Sequence, residues 1–222
     1  MELREVLFWI GHASFYAKAN GRTIFIDPFM LSDRISESAD LILITHPHFD
    51  HYSRADIDKI IKDDTRIIAP KGCEGIEGYK NVHITRPGEK MEFDGIKIEA
   101  VPAYNVNAAR LQNHPKANEW VGYITNLEGM RVYHAGDTDF IPEMKEMKGL
   151  HAALLPMGGT YTMDVNEAIE AARAINAKYT VPMHYKMLLG KDGSGQAAKM
   201  MQEAIPSTLL FDEVQEVKYG FK

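Results

Sequence analysis

A single cysteine, Cys73, stands in 222 residues, so no intramolecular disulfide can brace the chain. Long apolar runs are missing too. Residues 6–10 and 41–44 fall far short of the roughly twenty that span a bilayer, and they read as buried strands. The first residues have neither the apolar stretch nor the small-residue cleavage site of a secretory signal, so the expected location is cytoplasmic. Basic charge is also short: Lys and Arg total 25 against 31 Asp and Glu, a formal charge of −6. That balance disfavours an extended nucleic-acid or anionic-membrane surface and leaves room only for a local basic pocket. Internal repeats and low-complexity linkers are absent, so one domain over 1–222 is expected, and 45% hydrophobic content suffices for its core.

What is present reads as strands first and helices later. Strand patterns cover 3–10, 14–18, 23–26 and 41–45, punctuated by Gly11, Asn20-Gly21 and Asp27-Pro28. Asn20-Gly21 should be a hairpin turn. Ser53 followed by Asp56 is an N-cap pattern, and Ile57, Ile60 and Ile61 lie on one face of a helix expected to reach about Asp63. Further strands are expected at 66–69, at 91–93 and 96–102 around Asp94-Gly95, and at 120–126 and 131–134 around Glu128-Gly129. From Phe140 onward helix and strand alternate: 142–148, 152–155, 165–176 capped by Asp164, 179–182, 195–205 and 208–211. This order suggests a layered α/β unit whose helices cover the outer faces of two sheets. The longest irregular stretch, 103–119, is expected to border a functional site.

Thr45-His46-Pro47-His48-Phe49-Asp50-His51 puts three imidazoles and a carboxylate directly after an apolar strand. A strand ending in a turn can aim His46 and His48 at one point and Asp50 and His51 at a neighbouring one, as a two-metal site requires. Without a metal or water, such donors would be desolvated at a cost of about 1–3 kcal/mol each. Cys73, in a polar turn near Lys71, is a much weaker candidate for chemistry.

His-x-His-x-Asp-His after a hydrophobic strand is the signature of the metallo-β-lactamase superfamily, and the whole chain resembles its small hydrolases. That branch includes the ascorbate-6-phosphate lactonases and, more distantly, the phospholipase D that acts on N-acyl phosphatidylethanolamines. The landmarks stand in order: Gly11-His12-Ala13-Ser14, Ile26-Asp27-Pro28, the histidine cluster, Tyr133-His134-Ala135-Gly136-Asp137-Thr138, Pro156-Met157-Gly158-Gly159 and Pro182-Met183-His184-Tyr185. The resemblance implies a four-layer αββα fold, two mixed β-sheets packed face to face with helices outside. It also implies that His46 and His48 bind a first metal, that Asp50, His51 and His184 bind a second, and that Asp137 bridges both. Relatives usually supply a third histidine to the first metal just after the strand at 96–102; here Ala103-Tyr104-Asn105 stands there, and His114 is the nearest candidate, as the third ligand or else as a substrate contact.

Asp50 and His12 are the expected catalytic groups for proton transfer, and Asp27 is expected to orient a ligating histidine. His134 reads as a supporting or packing residue, His83 and His151 have no supporting pattern, and Gly158-Gly159-Thr160 could offer backbone donors or form a plain turn. Redox members usually carry glutamate where His48 stands, so two Lewis-acid ions, zinc or manganese, are expected. The implied activity is hydrolysis of an ester, lactone or phosphodiester bond in a small substrate by activated water. Arg110, Lys116 and Lys186 are candidates for neutralising a phosphorylated or anionic substrate, or else ordinary solvated charges. The competing readings are a catalytically inert metal-binding protein on the same fold, and a nuclease or phosphodiesterase.

Overall fold

The computed structural model describes residues 1–215 and 217; the boundary expected at 222 lies outside the described residues. A two-residue alternation builds its frame. In β3 (Arg22–Ile26), β4 (Leu41–Leu43) and β5 (Arg66–Pro70), Ile24, Ile26, Leu41, Leu43 and Ile68 enter the main core. Phe25, Ile42, Ile67 and Ala69 point the other way, into a second core with Ile57 and Ile60 of α2 (Arg54–Ile60). Each fully buried aliphatic side chain contributes about 1.5–3 kcal/mol, and slipping a strand by one residue would turn its whole set to the wrong face.

These strands belong to a six-stranded sheet ordered β1-β2-β3-β4-β5-β6, with β1 (Leu7–Gly11), β2 (Ser14–Ala19) and β6 (Val82–Thr85) completing it. Pairing is antiparallel from β1 to β3 and parallel from β3 to β6. The second sheet, β12-β11-β10-β9-β8-β7, is built from β7 (Lys90–Phe93), β8 (Ile96–Pro102), β9 (Val121–Leu127), β10 (Met130–His134), β11 (Ala152–Pro156) and β12 (Tyr179–Met183). In it β10, β11 and β12 run parallel and the others antiparallel. The helix α3 (Val165–Ile175) packs on β11, and α4 (Lys186–Ala204, broken at Gly190) packs on β12. The αββα layering expected from the resemblance is the one observed.

Two contacts close the sheets on each other near the end of β4. The Tyr123 hydroxyl donates to the Ile44 carbonyl at 2.8 Å, and the Val121 N–H donates to the Thr45 carbonyl at 3.1 Å. Asn20-Gly21, Asp94-Gly95 and Glu128-Gly129 all have both φ angles positive, the tight turn whose twist matches a hairpin.

Several local expectations need correction. Residues 3–10 are not one strand: α1 (Leu3–Val6) precedes β1, its first turn fixed by Glu2 N–H donating to the Glu5 carboxylate at 2.7 Å. The helix after Ser53 stops at Ile60, because Ile61 is already extended. Residues 142–148 form only a 3-10 turn, Pro142–Glu146, while α4 starts well before residue 195. Residues 208–211 make one bridge, Thr208 with Thr180, and the Thr208 N–H is turned back onto the Ile205 carbonyl at the end of α4, 2.9 Å away. β6 was not foreseen, since Val82–Thr85 alternates too briefly to stand out.

Candidate metal centre

Strand ends position every group at issue except His114, which comes from the long loop before Lys116–Asn118. His12 follows β1, Asp27 follows β3, the run from His46 to His51 follows β4, Asp137 follows β10 and His184 follows β12. Three of these turn sharply: His12, Asp27 and His184 have φ of 52, 47 and 56°, a left-handed backbone that costs about 1–3 kcal/mol in a residue with a side chain. Gly136 also has a positive φ, 63°, and a Cβ there would meet the Val121 carbonyl at 3.0 Å and Thr45 Cβ at 3.1 Å. Only glycine lets Asp137 tuck in beside β4.

The structure gathers the expected residues into three overlapping groups, with one donor atom of each residue within 4.8 Å of the others in its group: His46, His48 and His114; His12, Asp50, His51 and His184; His46, His51 and Asp137. Asp137 lies between the first two. Its Oδ1 is 3.3 Å from His51 Nε2, and its Oδ2 is 3.2 Å from His184 Nε2, 3.4 Å from His114 Nε2 and 4.0 Å from His46 Nε2. Asp50 Oδ2 lies 3.6 Å from His184 Nε2 and 3.0 Å from His12 Nε2. His51 Nε2, His114 Nε2, both ring nitrogens of His184 and Asp137 Oδ1 are buried without a hydrogen-bond partner. Orphaned imidazole and carboxylate donors converging on one place are what a divalent ion needs, and the cluster fits one on that ground.

The far sides of the His51, His46 and His114 rings are held. Asp27 accepts from the Thr45 N–H at 2.7 Å and the Thr45 hydroxyl at 2.6 Å, and it lies 2.7 Å from His51 Nδ1. Since the Thr45 hydroxyl spends its proton on Asp27, it accepts at 3.0 Å from His46 Nδ1. His114 Nδ1 lies 2.8 Å from Asn105 Oδ1. Thr45, Asn105 and the Trp120 ring, whose centroid is 5.2, 5.0 and 5.7 Å from those of His46, His48 and His114, were not singled out from sequence. For Trp120 the only sequence signal was its place at the end of the long loop.

Burial, then repulsion from His51, holds His46 well below the ordinary imidazole range. Burial and His184 push His12 down to about 4. Burial works against ionising Asp50, but His51, the hydrogen bond from His12 and the nearby His184 override it and keep the carboxyl low. Asp137 is likewise buried yet held low by His184 and His51. Burial opposes a charged His184, and the neighbouring Asp137 and Asp50 still raise it to about 9.

Other expectations shift. Arg110 is 8% exposed and bound to Asp139 and Glu167, Lys116 pairs with Glu143, and Lys186 pairs with Glu213 while lying over Trp9. All three cations are engaged within the chain. Gly158 is needed for room, since a Cβ would strike the His184 carbonyl and Leu188, and the Gly159 N–H is used on the Met163 carbonyl. Burial pushes the Cys73 thiol up to about 12, the opposite of activation by Lys71. His83 pairs with Glu89, and His151 packs on Tyr179, both away from the cluster.

A family model described as the beta-lactamase superfamily domain matches residues 6–184. A UPF0173 metal-dependent hydrolase of Thermoplasma acidophilum is 33% identical over 192 residues, 81% of this chain and 82% of that protein. One of Anoxybacillus flavithermus is 32% identical over 224 residues, 95% of this chain and 99% of that protein. The solved structure of a candidate metal-dependent hydrolase from Parabacteroides distasonis superposes with a TM-score of 0.81 at 34% identity, covering 93% of this chain and 92% of that one. No helix among the described residues is long and apolar enough to cross a membrane. With its two six-stranded sheets and its buried His/Asp cluster at their shared edge, the chain belongs to the metallo-β-lactamase superfamily, in the UPF0173 metal-dependent hydrolase family.

Proposed function

We propose that the chain is a dinuclear hydrolase that cleaves an ester, lactone or phosphodiester bond of a small substrate, with zinc or manganese as its ions. These are the bond classes of the lactonase and phospholipase D branch that its landmarks resemble. The observation that carries this reading is Asp137, buried with its two oxygens within 3.4 Å of His51, His184 and His114. His46, His48 and His114 would hold one ion, Asp50, His51 and His184 the other, and Asp137 would span both. Divalent ions there supply Lewis acidity, acidifying water toward a pKa of about 7 and polarising the bond to be cut.

The chain's own residues handle the proton. Asp50 is an ionised carboxylate that can accept one at Oδ2, and the Nε2–H of neutral His12 donates to that same oxygen at 3.0 Å, which fixes its direction. Asp50 then returns the proton to the leaving group. Phe29 lies edge-on to both His12 and the 72% exposed Phe49, so one flank of His12, the partner of Asp50, is aromatic. With Arg110, Lys116 and Lys186 occupied, that flank favours an ester or lactone carrying an apolar group over a phosphorylated substrate.

Plasma mass spectrometry on protein purified without a histidine tag should find about two ions per chain. Chelator and His48→Ala should each abolish hydrolysis across a panel of aryl esters, lactones and phosphodiesters. Metal without turnover would instead identify an inert metal-binding protein, and absence of metal would defeat the proposal.

A further inference from the structure

His114 reaches the cluster from a loop, where no strand fixes its ring. We infer that Asn105 is a positioning residue that locks His114 in the tautomer whose Nε2 lone pair faces His46, His48 and Asp137; this rests on the metal-centre reading above. Asn105, Asp139 and His114 are all buried, at 2, 1 and 1% exposure. Asn105 Nδ2 donates to Asp139 Oδ1 at 3.0 Å and to the Tyr161 carbonyl at 3.0 Å. A carboxylate and a carbonyl only accept, so the amide nitrogen must face them and Oδ1 must face the histidine.

An amide oxygen carries no proton, so the 2.8 Å bond to His114 is donated by the ring's Nδ1–H. The neutral imidazole is therefore bare at Nε2, the atom 3.4 Å from Asp137 Oδ2. The opposite tautomer would set two acceptors against each other in a buried place, at a cost of about 1–3 kcal/mol. The Asn105 N–H also donates to the His114 carbonyl at 2.8 Å, so the two residues are tied through backbone and side chain alike.

Asp139 is anchored in turn. It accepts from the Val106 and Asn107 N–H groups at 2.7 and 2.8 Å and from Arg110, which also binds Glu167. Glu167 accepts from the Asp164 N–H at 2.9 Å in the first turn of α3. A chain of polar contacts thus runs from a helix start to the ring nitrogen of His114.

Long-range proton–nitrogen spectra of the metal-free, full-length protein at about pH 8 should show the His114 ring proton on Nδ1; a proton on Nε2 would overturn the inference with no variant needed. In chelator competition with zinc, Asn105→Leu should lose about 10- to 100-fold in affinity for one ion and keep the other. His114→Ala should lose the same ion more completely. Unchanged affinities in Asn105→Leu, or equal loss at both positions, would overturn the inference. Wild type that binds no pair of ions would instead defeat the metal-centre reading.

Discussion

His51 Nδ1 stands 2.7 Å from Asp27 Oδ2, and that contact decides which way the histidine faces. Asp27 uses its remaining capacity on the N–H and hydroxyl of Thr45, so one carboxylate orients His51 directly and His46 through Thr45. In Asp27→Asn the amide nitrogen would oppose at least one of these donors. Metal affinity should fall about 10- to 100-fold, read by isothermal titration with zinc. Full affinity would mean that the rings hold their directions without Asp27.

Gly158 lies against His184, with the His184 Nδ1 3.4 Å from where a Cβ would stand and the His184 carbonyl closer still. Backbone cannot yield as a flexible side chain would. Gly158→Ala should cost about 1–3 kcal/mol in urea unfolding and weaken binding of the ion proposed at His184. Wild-type stability together with wild-type metal content would contradict the close approach.

His134 gives a pH signature outside the cluster. It accepts the Gly136 N–H at Nδ1, 3.2 Å away, and its Nε2–H donates to the Ala13 carbonyl at 2.8 Å, an arrangement that only a neutral ring allows. Burial holds its pKa below the ordinary 6.5. The unfolded chain therefore binds the proton first, and this stabilising contribution is complete above pH 6.5 and is lost as pH falls from there toward the folded value. Urea unfolding of metal-free protein between about pH 8 and about pH 5 should show less acid loss in His134→Gln than in wild type. Identical slopes would remove His134 as a source of acid sensitivity.

The fold was legible where the signal is local. Leu41, Ile42 and Leu43 alternate between two cores, and an Xaa-Gly pair with both φ angles positive closes a hairpin wherever it occurs. The run from His46 to His51 announces itself because four donors crowd one turn. Asp137 and His184 emerged only through ordered landmarks, since a lone Asp or His after a strand says little. Asn105 and Asp139 stayed silent because their roles lie in partners far along the chain: Asn105 meets Asp139 and Tyr161, 34 and 56 residues away. The same distance misled the reading of Arg110, whose carboxylate partners, Asp139 and Glu167, could not be foreseen from neighbouring residues.

Each sheet is one continuous half of the chain, β1 to β6 ending at Thr85 and β7 to β12 running from Lys90 to Met183. His46, His48 and His51 come from the first half, and His114, Asp137 and His184 from the second. During synthesis the early sheet can form while its later partner is still being made, yet the donors of the first proposed ion stay divided until Asp137 emerges, and those of the second until His184 does. Capture of the proposed ions would therefore come late in the life of the nascent protein, and a fragment released midway would carry the histidine run without its later partners.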